Sequence, residues 1–111
     1  MEIDNPYRET VRIYRAREDE TGNMVNELFY EGSASIQQKN SSLSFGSNAI
    51  VSYYVAYLPN DRVVATPLDT LDWKGLNKDF SANEAEWNTI MKPSFNYEGV
   101  GTTIYFNEIA R

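Results

Sequence analysis

The carboxylates with the closest spacing lie in the second half of the chain. Asp69 and Asp72 are three residues apart, and Asp61 and Asp79 flank them. Two neighbouring carboxylates could act as acid and base in glycoside hydrolysis or ligate a hard cation. However, the spacing matches no calcium loop, and strand residues three apart point to opposite faces. We therefore expect solvated turn carboxylates here, with a small carboxylate hydrolase as an alternative.

The other polar clusters give weak indications of chemistry. Glu84 and Glu86 precede Trp87 and could border a sugar-binding platform. The same two residues also fit the first turn of a helix, where the dipole favours Glu. The segment 99–101, Gly-Val-Gly, lacks the strand-then-helix context of a phosphate-binding loop.

Composition excludes several classes of site. The 111 residues include no cysteine and no histidine, which removes disulfides, the usual zinc ligands and Ser-His or Cys-His catalysis. We therefore predict no metal and no cofactor. The formal charge of −6 disfavours a nucleic-acid binder that relies on phosphate contacts and an anionic membrane partner. No apolar run has the length of a membrane span or signal peptide, so we expect synthesis in the cytoplasm.

Four arginines in the first part of the chain form the main basic cluster. Interleaved with tyrosines, they could touch nucleic acid, but an acidic segment at 18–20 follows directly. We expect exposed cross-strand pairs instead. The cluster consists of Arg8, Arg12, Arg15 and Arg17.

The elements that must position these residues are mostly strands. Alternating apolar residues predict a long hairpin, 10–17 and 24–30, that reverses at Gly22-Asn23. A turn at Glu31-Gly32 then leads to a short strand. The apolar run 49–58 predicts a central strand covered on both faces. The remaining predicted strands are short or C-terminal: 33–37, 63–65, 69–73 and 102–109.

Residues 76–92 allow two interpretations. Ser81 to Glu84 fits a capping box, with Phe80 and Ala85 placed as a hydrophobic staple, which favours a short helical insertion. The alternative is a strand over 87–92. The sequence leaves both interpretations open.

The predicted fold is mainly β and forms one domain, 1–111, with an N-terminal arm at 1–9. Six to seven strands with at most one short helix indicate a small closed or half-open β-barrel of SH3-like type. The aromatic content of 14% supports strands.

The segment 32–59 has an unusual charge distribution. It contains one charged residue, Lys39. Within it, residues 39–48 read as a long mobile loop of turn formers with an isolated Leu43 and Phe45. Such a loop either faces solvent or becomes buried against protein, because interface cores are depleted of charge.

The order of several motifs resembles the small head-tail joining proteins of tailed bacteriophages, the connector or head-closure (stopper) group. No single motif is distinctive, and their order carries the resemblance. They are the strand 11–15, the acidic turn 18–23, Tyr30-Glu31-Gly32, the strand 53–59 that ends in Pro, Asp69 to Gly75, and the ending 101–109.

This resemblance implies a structural virion protein rather than an enzyme. It implies a ring of about six or twelve copies that joins the portal or an adaptor to tail proteins and helps retain or gate double-stranded DNA, which passes without specific binding. The residues implied in the channel or subunit contacts are Lys39, Asn40, Ser41, Ser42, Leu43, Ser44, Phe45 and Gly46. The hairpin residues implied in contacts with a neighbouring protein are Arg12, Tyr14, Arg15 and Arg17.

A second hypothesis belongs to another class. The same barrel could be a stand-alone module that binds a glycan or peptide on a face with Tyr53, Tyr57 and Trp73.

Overall fold

Seven strands and one short helical turn make up the computed structural model, which describes residues 6–42, 50–81 and 83–107. The turn is a 3₁₀ helix over Glu84–Glu86. The strands are β1 Glu9–Glu18, β2 Met24–Ser42, β3 Ile50–Leu58, β4 Thr70–Lys74, β5 Asn88–Ile90, β6 Phe95–Tyr97 and β7 Gly101–Asn107.

Six of the strands close into an antiparallel barrel. The sheet order is β3-β2-β1-β4-β5-β7-β6, and β3 also pairs with β7, which closes the ring of strands. β5 and β6 lie one after the other along the edge of β7 that faces away from β3. The predicted small β-barrel is therefore confirmed in its closed form.

The core follows from the alternation of apolar residues along the strands. Val11 and Ile13 of β1 point inward and are fully buried, as their spacing predicts. The predicted central strand is present as β3, which lies between β2 and β7, but the prediction that both of its faces are covered is wrong, because Tyr53 and Tyr57 on its outer face are only partly buried. The buried cluster inside the barrel contains Val11, Ile13, Ala34, Ala56, Leu58, Val63, Ala65, Leu71, Ile90, Ile104 and Phe106.

β2 is one continuous strand of 19 residues, so the predicted turn at Glu31-Gly32 is wrong. Met24 to Ala34 pairs with β1, and Ser35 to Ser42 pairs with β3 on the other edge. Gly32 does not form a turn but leaves space for the side chain of Tyr30, because a Cβ at position 32 would lie 2.3 Å from the Tyr30 hydroxyl oxygen.

The predicted loop at 39–48 also begins too early. Residues 39–42 extend β2 and pair with β3, whereas 43–48 lie outside the described residues. At the N-terminal arm, Glu9 already belongs to β1 and residues 1–5 are outside the described part.

The segment 76–92 contains no helical insertion beyond a single turn among its described residues. Asn83, rather than Ser81, caps this turn by accepting a hydrogen bond from the Ala85 amide. The Ser81 amide donates instead to the buried Asp72 carboxylate at 2.7 Å. The strand interpretation holds for Asn88–Ile90 only.

The predicted strand at 63–65 is also wrong. Its backbone bonds to Ser94 rather than to a neighbouring strand: the Ala65 amide donates to the Ser94 hydroxyl, and the Ser94 amide donates to the Ala65 carbonyl. The predicted final strand is present over Gly101–Asn107, and residues 108–109 lie outside the described part.

Candidate functional site

The two central aspartates are buried, so the prediction of solvated turn carboxylates is wrong. Asp69 is 2% exposed and Asp72 is 1% exposed. Asp69 accepts hydrogen bonds from the Arg15 guanidinium at 3.1 Å and from the Thr66 amide at 3.0 Å. Burial of a carboxylate requires such partners.

Asp72 is held in a similar way on the other side of β4. It accepts from the Trp73 amide at 3.0 Å and from the Ser81 amide at 2.7 Å, and Lys78 Nζ lies 3.7 Å away. All four oxygens of the two carboxylates therefore have partners, and the pair anchors loops to the barrel. Within the described ranges no three acidic side chains form a cluster that could hold a metal ion.

The arginines of β1 contact other parts of the same chain. Arg15 stacks over the Phe29 ring at 4.1 Å, and its hydrogen bond to Asp69 raises its pKa. Arg12 pairs with Glu31 directly across the hairpin, and Arg17 pairs with Glu27. These are the cross-strand pairs expected from the sequence.

Tyr14, the fourth predicted hairpin contact, is also engaged within the chain. Its ring stacks on Trp87 with centroids 3.8 Å apart and an interplanar angle of 12°. Trp87 is thereby buried against β1, so it does not form an exposed platform beside Glu84 and Glu86.

Beyond the barrel, β1 and β2 continue as a two-stranded extension that we call the hairpin ribbon, residues 15–29. β4 pairs with β1 only as far as Tyr14, so the remaining part of β1 is paired with β2 alone. At the turn, Asp19 accepts from the Thr21 hydroxyl and from the amides of Thr21 and Asn23, and these hydrogen bonds lower its pKa. Four exposed apolar side chains lie on the ribbon: Met24, Val25, Leu28 and Phe29.

A second surface, which we call the aromatic face, lies on the outer side of β3, β7 and β6. The register places Tyr57 and Phe95 on either side of Thr103, and Tyr105 next to Val55. The members of the face are Tyr53, Tyr57, Phe95, Tyr97 and Tyr105. Ring centroids lie 6.1 Å apart for Tyr53 and Tyr105 and 6.4 Å apart for Phe95 and Tyr105.

The aromatic face carries positive charge on an acidic protein. Lys92 Nζ lies 4.2 Å from the Tyr105 ring centroid, and Lys39 of β2 lies opposite Tyr53 in the register. Among the described positions where β2 pairs with β3, β3 with β7 and β7 with β6, those that the register places on this side include no Asp or Glu, and the carboxylate of Glu31 farther along β2 pairs with Arg12. Burial and the neighbouring tyrosines raise the pKa of Tyr105.

A groove of about 320 Å³ crosses one end of the aromatic face. Tyr57 and Tyr97 border it, Thr103 lies at its base, and Ser35 and Gln37 add neutral hydrogen-bonding groups. Apolar walls with a few neutral polar groups are typical of small-molecule and peptide sites.

Only two of the three aromatic residues proposed for a binding face come together. Tyr53 and Tyr57 lie on the aromatic face, whereas Trp73 packs against the core beside Tyr54, with ring centroids 6.3 Å apart. Sequence reasoning missed Phe95, Tyr97 and Tyr105. Two patterns in the sequence could have indicated them. The Phe-x-Tyr alternation at 95–97 places both rings on one side of their strand, and Tyr105 occupies an odd-numbered position of β7, where the side chains point outward.

Some residues of the predicted loop belong to the end of β2, and the others lie outside the described residues. Lys39 is described and lies beside the aromatic face. The backbones of Asn40, Ser41 and Ser42 continue the strand. Residues 43–46 lie outside the described part.

Comparison with protein-family models, with curated proteins and with solved structures gave no match for this chain. No helix among the described residues has the length and apolar character needed to cross a membrane.

Proposed function

We propose that this protein is a structural virion component at the head-tail junction of a tailed phage or prophage, where it forms a ring that joins the portal to the tail. The observation that carries the proposal is the presence of two unlike surfaces on one small closed barrel: the projecting hairpin ribbon and the aromatic face. A closed ring requires two different, complementary patches on each subunit.

The order of sequence motifs and the charge of the chain support the same proposal. The order of the strand 11–15, the acidic turn 18–23, the strand 53–59 and the ending 101–109 resembles that of head-tail joining proteins, and the charge-poor segment 32–59 offers uncharged surface for a subunit contact. A net charge of −6 suits a conduit for DNA, because like charge keeps phosphates from adhering while the genome passes. The ring would help retain or gate that genome.

Light scattering coupled to size-exclusion chromatography tests the assembly, alone and after mixing with the portal ring of the phage or prophage that encodes the protein. We expect assemblies of about six or twelve copies, visible as rings in negative-stain images. A protein that stays monomeric in both conditions contradicts the proposal.

The groove favours one second candidate, a module that binds a glycan or peptide. If a neutral oligosaccharide binds between Tyr57 and Tyr97, Tyr97→Ala is expected to weaken binding about tenfold, since an aromatic contact contributes about 1.4 kcal/mol. Tyr53→Ala is the matched control, because Tyr53 lies on the same face but does not line the groove. Titration calorimetry with a saccharide panel measures this, and equal effects of the two variants contradict a groove site.

A further inference from the structure

We infer that the hairpin ribbon of one subunit docks on the aromatic face of a second copy of this chain. This inference rests on the proposed function, since it identifies the two patches that would meet in the ring. It also makes a claim about self-association that can be tested without any phage component.

The apolar character of the ribbon is the first argument. Met24 is 67% exposed and Leu28 is 46% exposed, and the register places both on the same side of the ribbon. Val25 and Phe29 are exposed on the opposite side of the ribbon. Exposed apolar side chains that share one side of an element, as Met24 and Leu28 do, mark interaction sites. Aromatic side chains such as those of the aromatic face are enriched in interface cores.

Charge complementarity identifies the hairpin ribbon as the partner of the aromatic face. The ribbon ends in three consecutive acidic residues, Glu18, Asp19 and Glu20. The aromatic face carries Lys39 and Lys92, and the described positions that pair β2 with β3, β3 with β7 and β6 with β7 place no carboxylate on it. An acidic, apolar ribbon thus matches a basic, aromatic face, and both belong to the same chain. Such complementarity guides association and sets the register.

The shapes of the two surfaces are also compatible. The ribbon has two strands, whereas the face spans β2, β3, β7 and β6, a width of about 15 Å at the usual strand spacing. In the part of the chain that is described, the edge of β2 away from β1 has no partner strand over Met24 to Ala34. Unpaired edges of this kind are natural places for association.

Because the two patches differ, the contact is head-to-tail. Each subunit then offers one ribbon and one face, and the assembly continues until it closes into a ring or forms a filament. A symmetric two-fold dimer would instead bury the same patch twice.

Two variants separate the patches, and both change exposed residues. The ribbon variant is Met24→Asp/Leu28→Asp, and the face variant is Lys92→Glu/Tyr97→Asp. Leu76→Asp is the matched control, because Leu76 is 89% exposed and lies on neither surface. Under the conditions in which the wild type assembles, alone or with the portal ring, each variant should associate at least about a hundredfold more weakly. The control should assemble normally.

Mixing the two variants gives the decisive result. One intact ribbon and one intact face remain in the mixture, so light scattering should show a dimer and nothing larger. Persistence of wild-type assemblies in both variants, or failure of the mixture to form dimers, overturns the inference and leaves the ring proposal standing. Loss of saccharide binding in the face variant with assembly intact also overturns it, because the face then belongs to a ligand.

Cysteine cross-linking tests the contact even if no ring forms. The chain has no cysteine, so Met24→Cys and Phe95→Cys introduce the only thiols. Oxidation of a concentrated mixture should give a disulfide-linked heterodimer between the two variants, in excess of either homodimer. Cross-linking without rings supports the inference and contradicts the proposed function. Absence of the heterodimer overturns the inference.

Discussion

Gly101→Ala is expected to lower the free energy of unfolding by about 3 kcal/mol, the upper end of overpacking effects. A Cβ at this position would lie 2.0 Å from the carbonyl oxygen of Leu58 and 3.5 Å from the Cα of Pro59. Both are backbone atoms, so no side chain can rotate away to make room. β7 pairs with β3 at this point, and relief of the clash would separate the two strands that close the barrel.

Gly99→Asn provides a matched control two residues earlier. Gly99 has a φ of +77° in the turn before β7, with no atom within 4 Å of its Cβ position. Asn adopts this conformation at modest cost, so we expect a loss below about 1 kcal/mol. Urea denaturation followed by tryptophan fluorescence measures both variants. If Gly101→Ala proves as stable as Gly99→Asn, the close approach of β7 to β3 is wrong.

The barrel could be predicted because its signal is local. Alternation at Val11 and Ile13 identifies a strand with one buried face, and the apolar run identifies β3 as a strand, although it wrongly predicts cover on both faces. The turn at Glu31-Gly32 failed because glycine has two uses. It permits turns, but it also leaves space for a large neighbour, and here the neighbour is Tyr30.

The surfaces were less predictable, because they depend on register between distant strands. Tyr53 and Tyr57 could be assigned to one face by alternation, but only the pairing of β7 with both β3 and β6 brings Tyr105 and Tyr97 beside them. Trp73 was placed with them on residue type alone, whereas β4 turns it toward the core. The sparse charge of 32–59 does not show which face of the barrel the segment occupies, and its burial against a protein stays a prediction.

The burial of Asp69 could not be predicted for the same reason, because it depends on a residue that is distant in the sequence. Its principal partner, Arg15, is 54 positions away in the sequence, and no local pattern reveals the pair. A carboxylate in a turn is ordinarily solvated, so the sequence favoured that interpretation. Asp69 is buried instead, because the hairpin ribbon brings the Arg15 guanidinium to the carboxylate at the end of the barrel.

Arg15→Ala is therefore expected to destabilise the protein by about 2 kcal/mol. Removal of one partner leaves a buried carboxylate without its counter-charge, which ordinarily costs about 3–5 kcal/mol. The smaller value applies because the Arg15 side chain is 48% exposed, so water already screens part of the pair, and the Thr66 amide remains bonded to Asp69. Loss of the stacking on Phe29 adds to the effect.

Arg17→Ala is the control, because Arg17 lies on the same strand face but pairs with Glu27 in full contact with solvent. Its removal should cost less than about 0.5 kcal/mol. The double variant Arg15→Ala/Asp69→Asn should be more stable than the sum of the single effects, because the two residues are coupled. Equal losses for Arg15→Ala and Arg17→Ala in urea denaturation would show that the pair does not hold the ribbon.

If the pair of Arg15 and Asp69 does hold the ribbon, hydrogen exchange of the ribbon amides should accelerate in Arg15→Ala alone. The reason is that Arg15 also donates to the Val64 carbonyl and joins the base of the ribbon to the barrel.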